Sequence, residues 1–426
     1  MTPSTILLTP LWMQQSAMPP LSPEPWPSRV DVLIIGAGYT GLAAARETAA
    51  AGRSTLVLDA GALGAGCSSR NGGQVAYSIK PSFNSLKAKF GADVAFRICR
   101  EGLDAVAYLR TLAQGADCGW REAGCFFGAH TEKHFRLMAR EAENQPRGLE
   151  QRVHIVPKEA QHGEIATDFY HGGCVYPDDA SVDPARLLLA LLRRAQDSGA
   201  RVMDRSPVTA IQPNAEGFEA LTTHGVVQAR QVLLATNGYT GPLSPWHRRR
   251  VIPIGSYQIA TVPLGAERIR ALIPLGRNIV DSRRVIVYFR PSADGERIVF
   301  GGRAALSERD PLVCVPRLRQ MMERILPQLK SVPVSHAWVG WVAYTFDTLP
   351  HLGRHDGMYY CMGYCGQGVS LAPYFGKRVG QQMLGLSEGR TALDGIPFPS
   401  RPYYYGRPWF LAPSVLAYRL IDAMGI

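Results

Sequence analysis

Cysteine is scarce in this chain, with eight among 426 residues. Small secreted scaffolds held by disulfides are short and cysteine-dense, so a framework of that kind is excluded and a reducing cytoplasm is expected. Charged residues are few, 19% against 46% hydrophobic, which separates the chain from disordered sequences. No run approaches the roughly 18–20 uninterrupted apolar residues that span a bilayer, so no integral membrane segment is expected. Neither Lys nor Arg precedes Arg29, and the positively charged start of a secretory signal is therefore not expected either. Metal-ligand spacing is missing too. Cys361 and Cys365 have no second pair at zinc-site spacing, and His351 and His355 belong to no HExxH pattern, so no metal is expected.

Acidic residues are the scarcer sign of charge: 35 Asp+Glu against 46 Lys+Arg leave a net +11. Such an excess suits nucleic acid, an anionic membrane surface or acidic small molecules. The basic residues are mostly scattered arginines, and Arg248-Arg249-Arg250 is the one dense run, a distribution that argues against nucleic acid. The length allows two or three folding units with ample core.

Residues 1–28 carry seven prolines and no sustained period, which predicts an extended leader on the surface or loose in solvent. An apolar run at 31–35 ends in glycines. An alanine-rich stretch at 42–51 and a second apolar run at 54–58 then complete a strand–turn–helix–strand unit. A helix is expected near 93–114, and another from Asp183-Pro184, an N-cap followed by a proline at the first helical position. Short apolar runs between 202 and 234 read as strands, 251–305 as mainly β, and 358–362 as a strand leading through a glycine turn into a helix that runs to Met383. No internal repeat is visible.

The strongest signal is Gly36-Ala37-Gly38-Tyr39-Thr40-Gly41 between that first strand and helix, with Asp59 closing the second strand. Gly36 suits the tight turn, Gly38 lets a pyrophosphate approach the backbone, and Gly41 lets the helix pack on its strand. The helix amides then face the phosphates with the positive end of the dipole. Asp59 stands where a carboxylate accepts from ribose hydroxyls. Strand before, helix after and acid at the end make this a dinucleotide site, shared by FAD and NAD. A second glycine-rich stretch, 64–74, offers donors at Ser68 and Arg70 to phosphate or ring carbonyls.

With these motifs the sequence resembles the FAD-dependent amine and amino-acid oxidoreductases, the family of D-amino-acid, glycine and sarcosine oxidases. It looks most like the γ-glutamylputrescine oxidase-like branch, in which a Gly-Ala-Ser-Gly-Arg-Asn-Gly-Gly loop follows the first βαβ unit. Here the loop reads Gly66-Cys67-Ser68-Ser69-Arg70-Asn71-Gly72-Gly73, departing at Cys67 and Ser69. The likeness continues through Ala235-Thr236-Asn237-Gly238-Tyr239, Ile254-Gly255-Ser256-Tyr257, Gly301-Gly302-Arg303, Trp338-Val339-Gly340 and Gly363-Tyr364-Cys365-Gly366-Gln367-Gly368-Val369. It ends at Gly406-Arg407-Pro408-Trp409-Phe410.

The resemblance implies an α/β fold: a Rossmann-like FAD-binding domain, discontinuous in sequence (29–88, 150–242 and 335–395), and a mainly antiparallel β substrate domain (89–149 and 243–334). A C-terminal tail (396–426) follows. FAD contacts are implied at Gly36, Gly38, Tyr39, Thr40, Gly41, Asp59, Ala60, Cys67, Ser68, Arg70, Asn71, Gly72, Gly73 and Gln74. Further contacts are implied at Val208, Thr236, Asn237, Gly340, Gly366, Gln367, Gly368 and Val369. Some sarcosine oxidase relatives tether flavin through a cysteine at the place of Val342, so non-covalent FAD is expected.

In such chemistry the cofactor takes hydride from the carbon beside nitrogen, while the protein orients a neutral amine. Tyr257, Tyr288, Arg290 and Tyr344 are the candidate substrate residues: Arg290 for a carboxylate, the tyrosines for channel walls or hydrogen bonds to the amine. The expected reaction turns the C–N bond of a small amine, amino-acid-like or γ-glutamylated, into an imine and then an aldehyde, with oxygen reduced to peroxide. Two alternatives keep the flavin: a dehydrogenase that delivers electrons to a quinone or carrier protein, and a non-catalytic flavin-binding partner protein. The oligomeric state is left open.

Overall fold

The computed structural model describes residues 5–21, 25–77, 79–305 and 308–425. Two eight-stranded sheets carry the architecture. The first runs in the order His351–His355, Met358–Met362, Gly225–Leu234, Arg29–Ile35, Thr55–Leu58, Arg201–Met203, with the antiparallel hairpin Val208–Asn214 and Gly217–Thr222 pairing off Gly225–Leu234. From Met358–Met362 to Arg201–Met203 its neighbours are parallel. Parallel strands are covered on both faces, which is why Leu33-Ile34-Ile35 and Leu56-Val57-Leu58 are continuous apolar runs. Val32, Ile34 and Val57 face a helical layer of Tyr39–Ala50, Ala92–Gln114, Pro184–Asp197 and Gly368–Met383. The alternate residues Leu33, Ile35, Leu56 and Leu58 face the hairpin side, against Phe218, Val227 and Phe398.

The second sheet runs Val334–Tyr344, Ile252–Thr261, Ile298–Gly302, Val287–Pro291, Asn278–Asp281, Cys125–Gly128, Gly173–Tyr176, His154–Val156. It is antiparallel except where Asn278–Asp281 lies beside Cys125–Gly128. Its outer face holds an apolar core of Tyr257, Ile259, Phe289 and Phe300 under the helix Pro311–Ile325. Its other face turns toward the glycine-rich loop at 64–74.

Three expectations from sequence need correction. Helix Ala92–Gln114, placed with the substrate domain, buries Ala95, Ile98, Ala105 and Leu109 in the core of the first sheet. Strands His154–Val156 and Gly173–Tyr176, placed with the FAD domain, pair in the second sheet, as does Val334–Tyr344. Periodicity reports that a face is apolar, and not which of two cores receives it. The leader, finally, is neither loose nor wholly superficial over its central part. Residues 1–4 and 22–24 lie outside the described residues, but Leu11 and Trp12 are fully buried. Trp12 packs edge-on to Trp338 and donates its indole N–H to the Asn71 carbonyl at 2.9 Å, and Leu7 bridges to His336. Nor is this part extended: Leu11–Gln15 is a short helix after Pro10, and its large apolar side chains decide where the leader docks.

Trp12→Ala should therefore cost about 3–5 kcal/mol, the usual loss for emptying a large aromatic site. Trp12→Phe, which loses the N–H but keeps most of the volume, should cost less. Denaturant unfolding of the FAD-loaded protein measures both. An alanine variant as stable as the parent would remove the leader from the packed structure.

Candidate functional site

The turn after strand Arg29–Ile35 is where two close approaches meet. Gly36 has φ +109°, and a β-carbon there would lie 2.8 Å from the Ala235 carbonyl oxygen of the neighbouring strand end. A β-carbon on Gly41 would overlap the Gly36 carbonyl and press on Ile34, so glycine lets helix Tyr39–Ala50 sit directly on its strand. Asp59 then ties the turn down: its carboxylate accepts from the amides of Ala37 at 2.8 Å and Gly61 at 3.0 Å. Burial pushes the Asp59 pKa up while those two hydrogen bonds oppose the rise.

A cavity of about 680 Å³ opens from this turn, within the ~300–1,000 Å³ of ligand sites. Of the proposed FAD contacts, it is lined by Gly36, Gly38, Tyr39, Thr40, Asp59, Ala60, Cys67, Ser68, Asn71, Val208, Thr236, Asn237, Gly366, Gly368 and Val369. Residues scattered over more than 300 positions thus enclose one space, and the ends of three parallel strands meet there, where open α/β sheets bind ligands. Sequence reasoning missed Tyr239, Trp341, Tyr364 and Cys365 as walls of the cavity, while Val342, the place of the tether in some relatives, does line it. Trp341 falls on strand Val334–Tyr344, whose end reaches the cavity through its place beside Ile252–Thr261, a pairing no periodicity records. Tyr364 was quoted only as part of a glycine turn; its hydroxyl meets Thr40 Oγ1 at 2.6 Å and so links that turn to the first helix.

Other predicted contacts brace the cavity instead of lining it. Arg70 donates to the carbonyls of Ala65 at 2.8 Å and Val339 at 3.3 Å. Its own carbonyl accepts from Trp338 Nε1 at 3.0 Å and from Gln258 Nε2. Gly340 packs on Arg70 and Cys67. Gly72 gives its carbonyl to Arg290 Nε at 2.7 Å, Gly73 donates to the Asn71 side chain at 2.8 Å, and Gln74 donates to the Phe289 carbonyl at 3.2 Å. Gln367 caps helix Gly368–Met383. Burial pushes the Cys67 and Cys365 thiols up to about 11, so both are neutral at physiological pH.

The turn Gly363–Gly368 bends through positive φ at Gly363, Cys365 and Gly366. Asn237 Oδ1 accepts from the Gly363 amide at 2.9 Å, and the Ala343 carbonyl from the Cys365 amide at 2.9 Å. The start of helix Gly368–Met383 is thereby aimed at the cavity, positive dipole end first.

The four candidate substrate residues separate by strand alternation. Ser256 and Gln258 face the 64–74 loop, so Tyr257 points the other way, fully buried, with its hydroxyl accepting from the Arg309 amide at 2.9 Å. It cannot line a substrate channel. Arg290 faces the loop but is fully engaged: it donates to the Gly72 carbonyl at 2.7 Å and the Val182 carbonyl at 2.6 Å, and lies over the Trp12 ring. The carboxylate role expected for it is withdrawn, because a guanidinium only 2% exposed and already paired has no free fork to offer. Tyr288 packs on Gly72 and Gly301 with its hydroxyl 2.9 Å from Ser256 Oγ. Tyr344 points its hydroxyl toward Gly366, and Lys80 Nζ stands 5.6 Å from its ring centre.

FAD fits what is present: a glycine turn and helix N-terminus for the pyrophosphate, an acid at the ribose end, and a second helix N-terminus beside a neutral, largely apolar wall for a ring. The profile of a family described as "FAD dependent oxidoreductase" matches residues 31–382. Gamma-glutamylputrescine oxidoreductase of Escherichia coli is 30% identical over 407 residues, covering 93% of each chain. Glycine oxidase of Geobacillus kaustophilus is 26% identical, covering 87% of this chain and 96% of the relative. Its crystal structure superposes with a TM-score of 0.72 at 23% identity, covering 88% of this chain and 99% of that one.

A β-carbon at position 38 would come within 2.9 Å of Ser68 Oγ, and a branched side chain would fill the space the pyrophosphate needs. Gly38→Val should therefore purify without flavin while keeping the far-ultraviolet circular dichroism of the parent. A fully yellow preparation would refute this placement of the phosphates.

Proposed function

The chain belongs to the FAD-dependent oxidoreductase family, and from that premise we propose that it oxidises the C–N bond of a small amine that also carries a carboxylate, a γ-glutamylated or amino-acid-like amine. The carbon beside nitrogen loses hydride and the nitrogen loses a proton. The imine takes up water and splits into an aldehyde or keto compound and a free amine. Bound FAD supplies the two-electron acceptor, and oxygen, reduced to hydrogen peroxide, returns it to the oxidised state. Everything else falls to the protein.

Its residues contribute position and charge. The amides that open helix Gly368–Met383 favour negative charge that develops beside them. Tyr344, whose hydroxyl points toward Gly366, supplies an aromatic wall and a hydrogen-bonding group for the reacting end, whereas Tyr288, its hydroxyl paired with Ser256 Oγ and pushed well above its ordinary range by burial, backs the 64–74 loop. The observation that carries the substrate class is Lys80, a half-buried ammonium beside Tyr344 that also acts electrostatically on Cys365 in the cavity wall. It takes over the role of carboxylate partner that was expected of Arg290. A substrate carboxylate held there keeps the amine end free for oxidation, and full-length similarity to a γ-glutamylputrescine oxidoreductase supports that choice. Valine at position 342 supports dissociable FAD, since no thiol stands at the place of the family's tether.

Three measurements test this reading. Acid precipitation should release all the yellow colour into the supernatant; colour retained in the pellet would mean a covalent link. At equal salt, kcat/KM should favour γ-glutamylputrescine over putrescine by roughly 5- to 150-fold, the worth of one charged hydrogen-bonded contact. Lys80→Ala should raise KM for the glutamylated amine about tenfold with little change in kcat, because such a contact binds ground and transition states alike. Equal use of the free diamine would end the carboxylate-anchor idea. Substrate bleaching of the flavin without matching peroxide under air would point to a different acceptor.

A further inference from the structure

The C-terminal helix Leu411–Met424 is amphipathic in the wrong sense for a soluble surface. Its exposed residues Pro413, Leu416, Ala417, Leu420, Ala423 and Met424 follow the i, i+3, i+4, i+7 spacing of a single helical face. None of them is charged, and Leu416, Leu420 and Met424 are 50%, 57% and 63% exposed. The charged residues turn inward. Asp422 accepts from the amides of Arg284 at 2.8 Å and Val285 at 3.0 Å, and Arg419 donates to the carbonyls of Arg303 and Ala304 at 3.2 and 2.9 Å. The helix is thus fixed to the protein by these two charged side chains and by buried Val415, with an uncharged, largely apolar face presented to the outside. A contiguous apolar face of this kind marks an interaction surface.

Its surroundings identify what covers it. Between Asp394 and Asp422 the chain has no acidic residue, but has the exposed Arg401 and Arg407. Exposed Tyr403, Tyr405 and Trp409 lead into the helix, and Tyr418 lies on it. Arg249 stacks on Tyr405 at 4.6 Å and Arg284 on Tyr418 at 5.9 Å, so other parts of the fold add cations to the same patch. Apolar stripe, interfacial aromatics and arginines of one sign are the parts of a helix that lies in a lipid headgroup layer. Fourteen residues make about 21 Å of helix, short of the ~30 Å hydrocarbon core, so the helix lies along the surface and does not cross it. A second copy of the chain fits less well. An isologous contact would set this cationic patch against a second copy of itself, whereas an anionic surface complements it.

We propose that this face docks the enzyme on anionic lipid membranes, the helix Leu411–Met424 entering the headgroup layer by its Leu416–Leu420 side. The full-length FAD-loaded protein is spun with vesicles of phosphatidylcholine, with and without about 30% phosphatidylglycerol. At least about tenfold more protein should sediment with the anionic vesicles, and raising salt from about 0.1 to about 0.5 M should reduce this severalfold. Leu416→Glu with Leu420→Glu should abolish sedimentation while flavin content and amine turnover in free solution stay as in the parent. Arg401→Gln with Arg407→Gln carries the same test should the glutamate pair fold poorly; it should weaken binding to anionic vesicles and leave neutral ones unaffected. Equal sedimentation of parent and variants, or indifference to lipid charge, would overturn the proposal. So would a dimer in solution that the glutamate pair dissociates without any vesicle binding by the parent, since the occupant would then be a second copy.

Discussion

Arg290 is a buried cation at the junction of everything that shapes the cavity. Its guanidinium donates to Gly72 in the 64–74 loop and to Val182 just before helix Pro184–Asp197, lies over Trp12 of the leader, and is carried by strand Val287–Pro291 of the second sheet. Four stretches of chain remote in sequence therefore share one charged group. Burial pulls its pKa down, to about 10, and buried Asp183 acts in the opposite direction. It stays protonated at neutral pH, and the desolvation is offset because its donors find carbonyls and its charge finds a carboxylate and a ring face. Removing either partner would strand the other in a dry interior, which is how one contact comes to hold the loop in place.

From this clamp the layout of the site follows. The first sheet brings the ends of its parallel strands to the glycine turn, and the second sheet presses Ser256, Gln258, Tyr288 and Trp338 against the back of the same loop. Gln258 and Trp338 both donate to the Arg70 carbonyl, so the loop is held by its backbone and leaves its inner side to the cavity. The donors and helix ends around the cavity are held by hydrogen bonds within the protein itself, among them Asn237 to the Gly363 amide and Thr40 to Tyr364.

Much of this was legible in the sequence. Glycines at 36, 38 and 41 with Asp59 state a requirement for backbone approach that few other arrangements explain, and the family resemblance carried FAD with it. The first strand, helix and second strand of the first sheet were legible because two apolar runs flank a glycine turn and an alanine-rich stretch. What failed did so for identifiable reasons. Tyr257 and Arg290 were chosen as polar groups in a β segment, but alternation sends Tyr257 to the outer core, and a guanidinium on the inner face is consumed by two carbonyls that no local pattern announces. Lys80 carried no motif at all; its proximity to Tyr344 exists only in three dimensions.

The sequence by itself determined the chemistry of the nucleotide end, because each of its demands is local: a turn without side chains, a helix start, an acid a fixed distance beyond. It also determined the excess of arginine and the acid-free stretch before Asp422. Only the tertiary structure decided which strands joined which sheet, that the leader is packed against the loop, which polar groups are spent on structure and which face the cavity, and that the last helix turns its apolar side outward. Those outcomes depend on contacts between residues far apart in the chain, where a small difference in burial selects one docking over another and no local propensity registers the choice.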